Sequence, residues 1–225
     1  MNKIILRVVF MLISLIAFLT APLICSGQEK VIKLEKPSFK SDVSVEEALR
    51  TRRSVRDYSD EPLTIEEISQ LLWAGQGITN KRGFRTNPSA GAAFPMELYL
   101  ASHNVTGVKP GLYHYSPQDE TLTLVMDGSL REQMSDIEIY QKNVRKSAAV
   151  IIITGDSVRM AQRHGIHNFR YICMEAGSIF QSIGLQAQTL GLGTVVVGAF
   201  NEVDLKKMLG IKEDPLIIMP LGRKK

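Results

Sequence analysis

The chain has 225 residues, of which 44% are hydrophobic and 22% charged, the composition of an ordinary globular protein rather than a disordered or collagen-like one. The formal net charge is +4, and Lys3 and Arg7 in the acid-free N-terminal stretch supply two of those charges, which leaves +2 for the rest. So small an excess is not typical of nucleic-acid-binding proteins, and we expect no nucleic-acid partner.

Residues 1–27 have the pattern of a secretory signal peptide. A basic start leads into an apolar run from Val8 to Leu19, and the small residues Ser26-Gly27 follow where a signal peptidase would cut. The alternative is an uncleaved anchor, because residues 8–25 are close to the shortest length that spans about 30 Å of hydrocarbon. Lipid attachment at Cys25 is disfavoured by the bulky residue before it. The sequence therefore predicts an exported protein, periplasmic or extracellular, that meets a membrane only through this leader.

Cleavage of the leader would leave Cys173 as the only cysteine, which excludes an internal disulfide. Cys173 lies in an apolar helical stretch and is predicted to be a small buried hydrophobe rather than a nucleophile. His164 and His167 are spaced to share a helix face, but no third ligand follows at a suitable spacing, so we expect no metal site. No catalytic side chain can be assigned from these patterns.

Residues 28–42 mix charges without a sustained period and predict an extended linker ahead of a domain over 43–225. Capping boxes at 44–47 and 64–67 predict the starts of two helices, because a hydroxyl and a glutamate there can satisfy the first free amides. The second helix is predicted to end near Gly75.

Further elements follow from periodicity and turn residues. The prediction comprises a strand at Met96–Ser102, a hairpin of Leu112–Tyr115 with Thr121–Val125, a helix near 130–142, a strand at Ala148–Thr154, a helix at Phe169–Leu190, a strand at Thr194–Val197, a helix at Glu202–Leu209 and a strand at Leu216–Leu221. The run over 148–154 is apolar without alternation, which is typical of a central strand covered on both faces. The order of elements favours an α+β fold over a doubly wound parallel sheet.

The densest polar cluster contains four arginines and two hydroxyls at the end of the first predicted helix. It includes Arg50, Arg52, Arg53, Ser54 and Arg56. Guanidinium groups match phosphate oxygens, so a phosphate clamp is one interpretation. The other is a solvated helix end whose cations favour the negative end of the helix dipole.

A second cluster is the small-residue loop Asn87–Pro95, which leads directly into a strand. Small side chains allow backbone amides to approach a flat ligand closely, although an ordinary turn would look the same. Residues 191–193 and 197–200 are likewise consistent with either a ligand loop or simple helix and strand ends. None of these segments matches a P-loop or a dinucleotide-binding fingerprint.

Four blocks of sequence occur in a distinctive order. They are RRSVRDY at 52–58, NPSAGAAFPMELYL at 87–100, EAGSIFQSIGLQAQTLGLGTVVVGAF at 175–200 and IIMPLG at 217–222. Together they resemble the nitroreductase superfamily and, within it, most closely the SagB-type dehydrogenase branch. The resemblance extends over about 43–222.

The resemblance implies a three-layer α+β fold whose mainly antiparallel central sheet is flanked by helices, in an intertwined homodimer with FMN at the subunit interface. It implies an FMN-dependent oxidoreductase that transfers two electrons, as hydride, between a small-molecule donor and an acceptor. The implied cofactor contacts are Arg52, Arg53, Ser54 and Arg56 on the phosphate and ribityl chain, Pro88, Ser89, Ala90 and Gly91 of the other subunit on the ring, Val197, Gly198 and Ala199 near its reactive nitrogen, and Gly222 and Arg223 on the phosphate side.

The chain also departs from the branch. Members often read AGH and QN in the long helix, where this chain has Ser178 and Ser182. The nearest match to the branch's Lys-Tyr pair is Arg170-Tyr171, and that role is not carried over. Two alternatives remain open: a flavin-binding module without catalysis, and a dehalogenating or flavin-cleaving relative on the same fold.

Overall fold

A computed structural model of the chain describes residues 31–137 and 142–225, so the predicted leader lies outside the described part. Seven strands there form one sheet in the order β1-β4-β3-β2-β5-β7-β6. Every neighbouring pair is antiparallel. The strands are β1 (Val31–Lys33), β2 (Met96–Ser102), β3 (Gly111–Ser116), β4 (Thr121–Asp127), β5 (Ala149–Gly155), β6 (Leu192–Thr194) and β7 (Asp214–Arg223).

Helices cover both faces of the sheet. They are α1 (Val45–Thr51), α2 (Ile65–Gln76), α3 (Arg131–Ile137), α4 (Lys142–Lys146), α5 (Ser157–His164), α6 (Asn168–Thr189) and α7 (Glu202–Leu209). One apolar core contains buried residues of α2, α5 and α6, and the other contains residues of α3, α4 and α7. This is the predicted three-layer α+β architecture.

Strand β5 is central, as its unbroken apolar run predicts. It lies between β2 and β7, and all seven of its residues are buried. Ile151 and Ile153 contribute to the core under α6, whereas Val150 and Ile152 contribute to the core on the opposite face. Because both faces of β5 are buried, none of its side chains meets solvent, and its sequence is therefore apolar throughout rather than alternating.

Both predicted capping boxes mark helix starts, but only the box at α2 is complete, because the Glu47 carboxylate in α1 pairs with Arg50. The Ser44 hydroxyl accepts a hydrogen bond from the Glu47 amide at 3.1 Å. At α2 the exchange is reciprocal, because the Thr64 hydroxyl accepts from the Glu67 amide and the Glu67 carboxylate accepts from the Thr64 amide.

Part of the predicted linker belongs to the sheet, which corrects the expectation for 28–42. Residues 31–33 pair with β4, and Leu34 is buried in the core. Beyond them the Glu35 amide donates to Ser69 Oγ at 3.1 Å and the Ser38 amide donates to Gln70 Oε1 at 2.8 Å. A three-residue edge strand is too short to produce a periodic pattern.

Other boundaries differ from the sequence prediction. The helix expected over 130–142 is observed as α3 and α4, with residues 138–141 outside the described part. The strand expected over 194–197 ends at Thr194, and Val197 makes only an isolated bridge to Ile218. Helix α5 was not predicted. In the described ranges, none of the helices has both the length and the apolar character that a membrane crossing requires.

Cys173 is exposed, so the prediction of a buried cysteine is wrong. The buried positions of α6 include Ile172, Ala176, Ile179 and Ile183. Cys173 follows Ile172 by one residue, which rotates its side chain by about 100° away from that buried stripe.

Candidate functional site

The arginine-rich segment 52–56 runs along the outer edge of the sheet. The Val55 amide donates to the Thr194 carbonyl at 2.9 Å, which joins the segment to β6. Behind it, the buried Tyr58 hydroxyl lies 2.8 Å from the Val55 carbonyl and 3.2 Å from the Pro220 carbonyl of β7. The backbone of the segment is therefore fixed to the two last strands of the sheet.

The side chains of this segment are accessible and unpaired by acids. Arg53, Ser54 and Arg56 are exposed, and the Arg52 Cδ lies 3.8 Å from where a Cβ on Gly184 would be. Within the part of the chain that the structure describes, Arg53 donates only to the carbonyls of Arg50 and Arg52. Across the described residues, no carboxylate forms an ion pair with Arg52, Arg53 or Arg56. Three uncompensated guanidinium groups on one short segment favour an anionic ligand.

The C-terminal residues predicted for the phosphate side are engaged with the protein. Gly222 is buried, and a Cβ there would meet Tyr58 at 2.7 Å. Arg223 forms a two-point ion pair with Glu67, with Nη1–Oε1 and Nη2–Oε2 distances of 2.6 and 3.1 Å. Both residues brace the arginine segment and α2, and a direct contact with phosphate stays a prediction.

The strand end at 197–199 presents open backbone. Val197 exchanges two hydrogen bonds of 3.0 Å with Ile218 of β7, which fixes the segment beside the sheet. Gly198 is exposed, and no described heavy atom lies within 4 Å of the position that a Cβ would occupy. A flat ligand could therefore approach this backbone without a clash.

The loop from Ser89 to Phe94 has an unusual conformation that its surroundings hold in place. Gly91, Ala92 and Phe94 have φ values of 58°, 50° and 46°, which strains the two non-glycine residues. The Phe94 amide donates to Ser89 Oγ at 2.8 Å, and Arg159 donates to the Phe94 carbonyl at 2.7 Å. The loop is therefore a rigid structure rather than a simple turn.

Glu175 of α6 anchors the start of this loop. It is buried, and its Oε1 accepts hydrogen bonds from the Ala90 amide at 2.8 Å and from Ser89 Oγ at 3.0 Å. Burial raises the pKa of the Glu175 carboxyl, although these two bonds oppose the shift. Beside it, His164 Nε2 is buried without a partner among the described residues, 3.1 Å from where a Cβ on Gly91 would be.

Asn87 joins the loop to two helices. Its amide nitrogen donates to the carbonyls of Ala74 and Gly75 at the end of α2, at 3.0 and 2.8 Å. Its Oδ1 accepts from the hydroxyls of Ser178 and Ser182 on α6, at 2.8 and 2.7 Å. The two serines that depart from the branch pattern therefore fix Asn87 and, through it, the loop.

The structure brings three of the four predicted cofactor segments together. Segment 52–56 bridges β6 at Thr194, segment 197–199 bridges β7 at Ile218, and residues 222–223 end β7 beside β6. The fourth, 88–91, lies elsewhere along α6, since it contacts Glu175 whereas Arg52 contacts the helix at Gly184. Nine residues of helix correspond to about 14 Å. This separation is compatible with a site in which the loop comes from a second subunit.

A cavity of about 1020 Å³ lies between α1, α2, α6 and residues 38–43, with Trp73 and Leu185 among its lining residues. None of the predicted cofactor residues lines it. Val45 of α1, which is exposed, also lines it.

Sequence reasoning missed Asn87, His164 and Glu175 as parts of the site. An asparagine directly before the small-residue loop was a usable signal, because asparagine often bonds to nearby backbone. Glu175 was the first residue of a recognised block, but nothing local indicated that the helix would direct its carboxylate at the loop.

A three-layer antiparallel α+β fold, with a basic segment and an open strand end at one sheet edge, is the architecture expected of a nitroreductase-type protein. The chain belongs to the Nitroreductase family, whose family model matches residues 49–223.

Individual relatives agree with this assignment. The chain is 40% identical over 183 residues to "Putative nitroreductase MJ1384" of Methanocaldococcus jannaschii, covering 81% of this chain and 92% of the relative. It is 25% identical over 205 residues to the Microcin B17-processing protein McbC of Escherichia coli, covering 84% and 75% respectively. The crystal structure of a "putative nitroreductase" from Anabaena variabilis superposes with a TM-score of 0.76 at 28% identity. That match covers 87% of this chain and 42% of the longer Anabaena chain.

Proposed function

We propose that this protein is an exported, homodimeric, FMN-dependent oxidoreductase of the SagB-type dehydrogenase branch. The observation that carries the proposal is the unpaired set of Arg52, Arg53 and Arg56 beside the open strand end at Gly198. A phosphate can be held by the arginines while a flat ring lies against the strand end.

The residues of this chain fit FMN. The arginines offer charged donors for the phosphate, and the exposed Ser54 hydroxyl adds a neutral donor for the phosphate or the ribityl chain. Ser89, Ala90 and Gly91 present small side chains, so a flat ring could approach the backbone of this loop closely.

When bound, FMN supplies two-electron transfer between a donor and an acceptor. The residues of this chain bind and orient it. Glu175 and Asn87 hold the loop in one conformation, which would fix where its small side chains lie against a bound ring. No side chain is assigned an obligate acid or base role.

Two observations support a homodimer. The loop 88–91 and the arginine segment contact α6 about nine residues apart. In a dimer, the arginine segment of one subunit and the loop of the other could together form one complete site. Helix α6 also exposes Met174 and Cys173, and α1 exposes Val45 and Leu49, apolar surface that a second copy would cover.

Support for the branch comes from the sequence blocks and from the similarity to McbC, a protein named for processing microcin B17. We propose a small-molecule or peptide substrate on this basis. Export rests on the predicted leader, and because soluble nicotinamides are scarce outside the cytoplasm, the electron donor is proposed to be a quinol or a redox protein.

The test is a fluorescence titration of the purified protein with FMN and with riboflavin, which lacks the phosphate. We expect the Arg53→Ala/Arg56→Ala variant to lose at least about 30-fold in FMN affinity, since two charge-assisted bonds are removed. Riboflavin affinity should change little. The matched control, Lys207→Ala/Lys212→Ala, removes the same charge from exposed positions elsewhere. Equal FMN affinities in all three proteins would contradict the phosphate assignment.

A further inference from the structure

A group of charged side chains joins the start of β2 to β3 and α5. Glu97 of β2 accepts a hydrogen bond at Oε1 from Arg159 Nη1 of α5 at 2.8 Å, and its Oε2 lies 3.1 Å from His114 Nε2 of β3. Burial alone would raise the pKa of Glu97, but hydrogen bonds from His114 and Arg159 outweigh it and hold that pKa below its ordinary value. Glu97 is therefore a carboxylate at neutral pH, and it keeps the guanidinium of Arg159 in place.

Arg159 connects this charged group to the small-residue loop. The same Nη1 that binds Glu97 also donates to the Phe94 carbonyl at 2.7 Å. A guanidinium Nη carries two hydrogens, so one nitrogen can serve both acceptors at once. The next carbonyl, that of Pro95, accepts from the Asp156 amide at 2.9 Å. The first turn of α5 thus holds the two carbonyls at which the loop ends.

Phe94 is strained and is held from three sides. Its φ of 46° is one that bulky residues rarely adopt, and such a conformation persists only where the surroundings impose it. The amide of Phe94 donates to Ser89 Oγ, its carbonyl accepts from Arg159, and its ring has the Arg85 Cζ 5.1 Å from the centroid. The bond from Arg159 is charge-assisted, which makes it the stronger of the two hydrogen bonds.

We propose that Arg159, oriented by Glu97, is a positioning residue that fixes the shape of the loop 89–94 and so the place of residues 89–91 against the flavin ring. The inference rests on the proposed function, because it requires this loop to face a ring. Without the bond from Arg159, Phe94 is free to relax to a negative φ. Its amide then leaves the Ser89 hydroxyl, and residues 89–91 lose their fixed position.

Two other roles fit the charged group less well. In the ranges 31–137 and 142–225, no three histidine, cysteine, aspartate or glutamate side chains are grouped closely enough to hold a metal ion. A role in stability alone is disfavoured because the Arg159 side chain is 39% exposed, and ion pairs open to solvent stabilise a fold only weakly. A half-buried pair that ends on a strained carbonyl is better suited to selecting one loop conformation.

The first test measures the loop before FMN is added. The amides of Ala92, Ala93 and Phe94 all donate within the loop, so their hydrogen–deuterium exchange reports its shape. We expect these amides to exchange at least about tenfold faster in Arg159→Met than in the unmodified protein, while exchange in β5 stays the same. The matched control is Lys206→Met, which breaks the ion pair with Asp214 at a side chain of similar exposure, 37%, away from the loop.

The second test measures how the ring is held. Riboflavin and FMN share the ring, so Arg159→Met should weaken the binding of both by the same factor, at least about fivefold. The visible circular dichroism of the bound flavin should change as well. Arg53→Ala/Arg56→Ala, in contrast, is expected to weaken FMN alone. Glu97→Gln should act in the same direction as Arg159→Met and add nothing to it in the double variant, because Glu97 acts through Arg159.

Unchanged loop exchange in Arg159→Met would overturn the proposal. Faster exchange with unchanged riboflavin affinity would overturn it too, since Arg159 would then be structural only, and so would additive effects of the two substitutions. Failure of the unmodified protein to take up FMN is a separate result. It would contradict the proposed function and the role at the ring, while the exchange rates would still decide whether Arg159 holds the loop.

Discussion

Asn87 joins three parts of the site through one side chain. Its amide nitrogen donates to two carbonyls at the end of α2, and its Oδ1 accepts hydrogen bonds from two hydroxyls of α6. It also directly precedes the small-residue loop. All four hydrogen-bonding positions of its amide group are used. Ser178 and Ser182 thus have a structural role in this chain.

Replacing Asn87 by alanine should lower the free energy of unfolding by about 2–4 kcal/mol, because the carbonyls of α2 and the two serine hydroxyls lose their partner in a buried place. This loss can be measured by denaturant unfolding monitored by circular dichroism. Asn80→Ala is the matched control, since Asn80 also accepts two amides but is exposed. A loss no larger than that of the control would contradict the role assigned to Asn87.

His103 predicts a pH dependence of stability. Burial, and secondarily the charge of Arg131, lowers the pKa of His103 from its usual 6.5 to about 4, an effect that the Ser147 backbone opposes. Neither ring nitrogen makes a hydrogen bond of good geometry to any described residue. As the pH is lowered, His103 of the unfolded chain is protonated near pH 6.5, whereas His103 of the folded chain is protonated only near pH 4. The contribution of the neutral His103 to stability is therefore complete above pH 6.5 and is lost as the pH falls towards 4. The loss amounts to at most about 3 kcal/mol.

Unfolding free energies measured between pH 7.5 and 4, at about half-unit steps, should therefore fall less steeply in His103→Gln than in the unmodified protein. His167 is exposed, so His167→Gln should follow the unmodified profile. Parallel profiles for all three proteins would show that His103 does not titrate as the structure implies.

At the scale of elements, the sequence predicted what local chemistry determines. The capping boxes located α1 and α2, the apolar run located β5, and the spacing of buried residues located α6. Strand β1 was missed because it forms only by pairing with β4, and its three residues show no pattern that indicates this pairing. Helix α5 was missed because it is short and polar, with Met160 as its buried residue, and so lacks a recognisable apolar stripe.

Strand β1 and the residue after it should contribute measurably to stability. Leu34 is 6% exposed in the core beneath α2, so Leu34→Ala should cost about 2–4 kcal/mol in unfolding free energy. Lys36→Ala, at an exposed neighbouring position, should cost little. Thermal and denaturant unfolding of the two variants compare them directly. Equal stability would mean that residues 31–37 act as the linker that the sequence indicated.

For the molecule as a whole, the blocks of sequence identified which segments form the site but not how they meet. The arginine segment and the strand end are gathered by β6 and β7, whereas the loop 88–91 is held about 14 Å away along α6. Sequence order carries no information on which chain supplies which segment. That arrangement depends on the subunit pairing, which we propose as a homodimer.

The dimer arrangement can be tested by complementation. One chain carries Arg53→Ala/Arg56→Ala, and the other carries Pro88→Trp, which puts a bulky ring on an exposed position of the loop. Each homodimer should bind FMN poorly, but a heterodimer isolated with two affinity tags has one site with both parts intact, and should recover about half of the unmodified FMN content. No recovery in the heterodimer would place the whole site within one chain.

The central claim is that the protein binds FMN and passes electrons through it. The most direct measurement is the visible spectrum of the purified, FMN-loaded protein under anaerobic conditions during titration with NADH, NADPH or a quinol, then with an acceptor. We predict that one of the donors bleaches the flavin band stoichiometrically, that the acceptor restores it, and that mass spectrometry recovers intact FMN. A protein that takes up no FMN, that holds it without reduction by any of these donors, or that cleaves it would contradict the account.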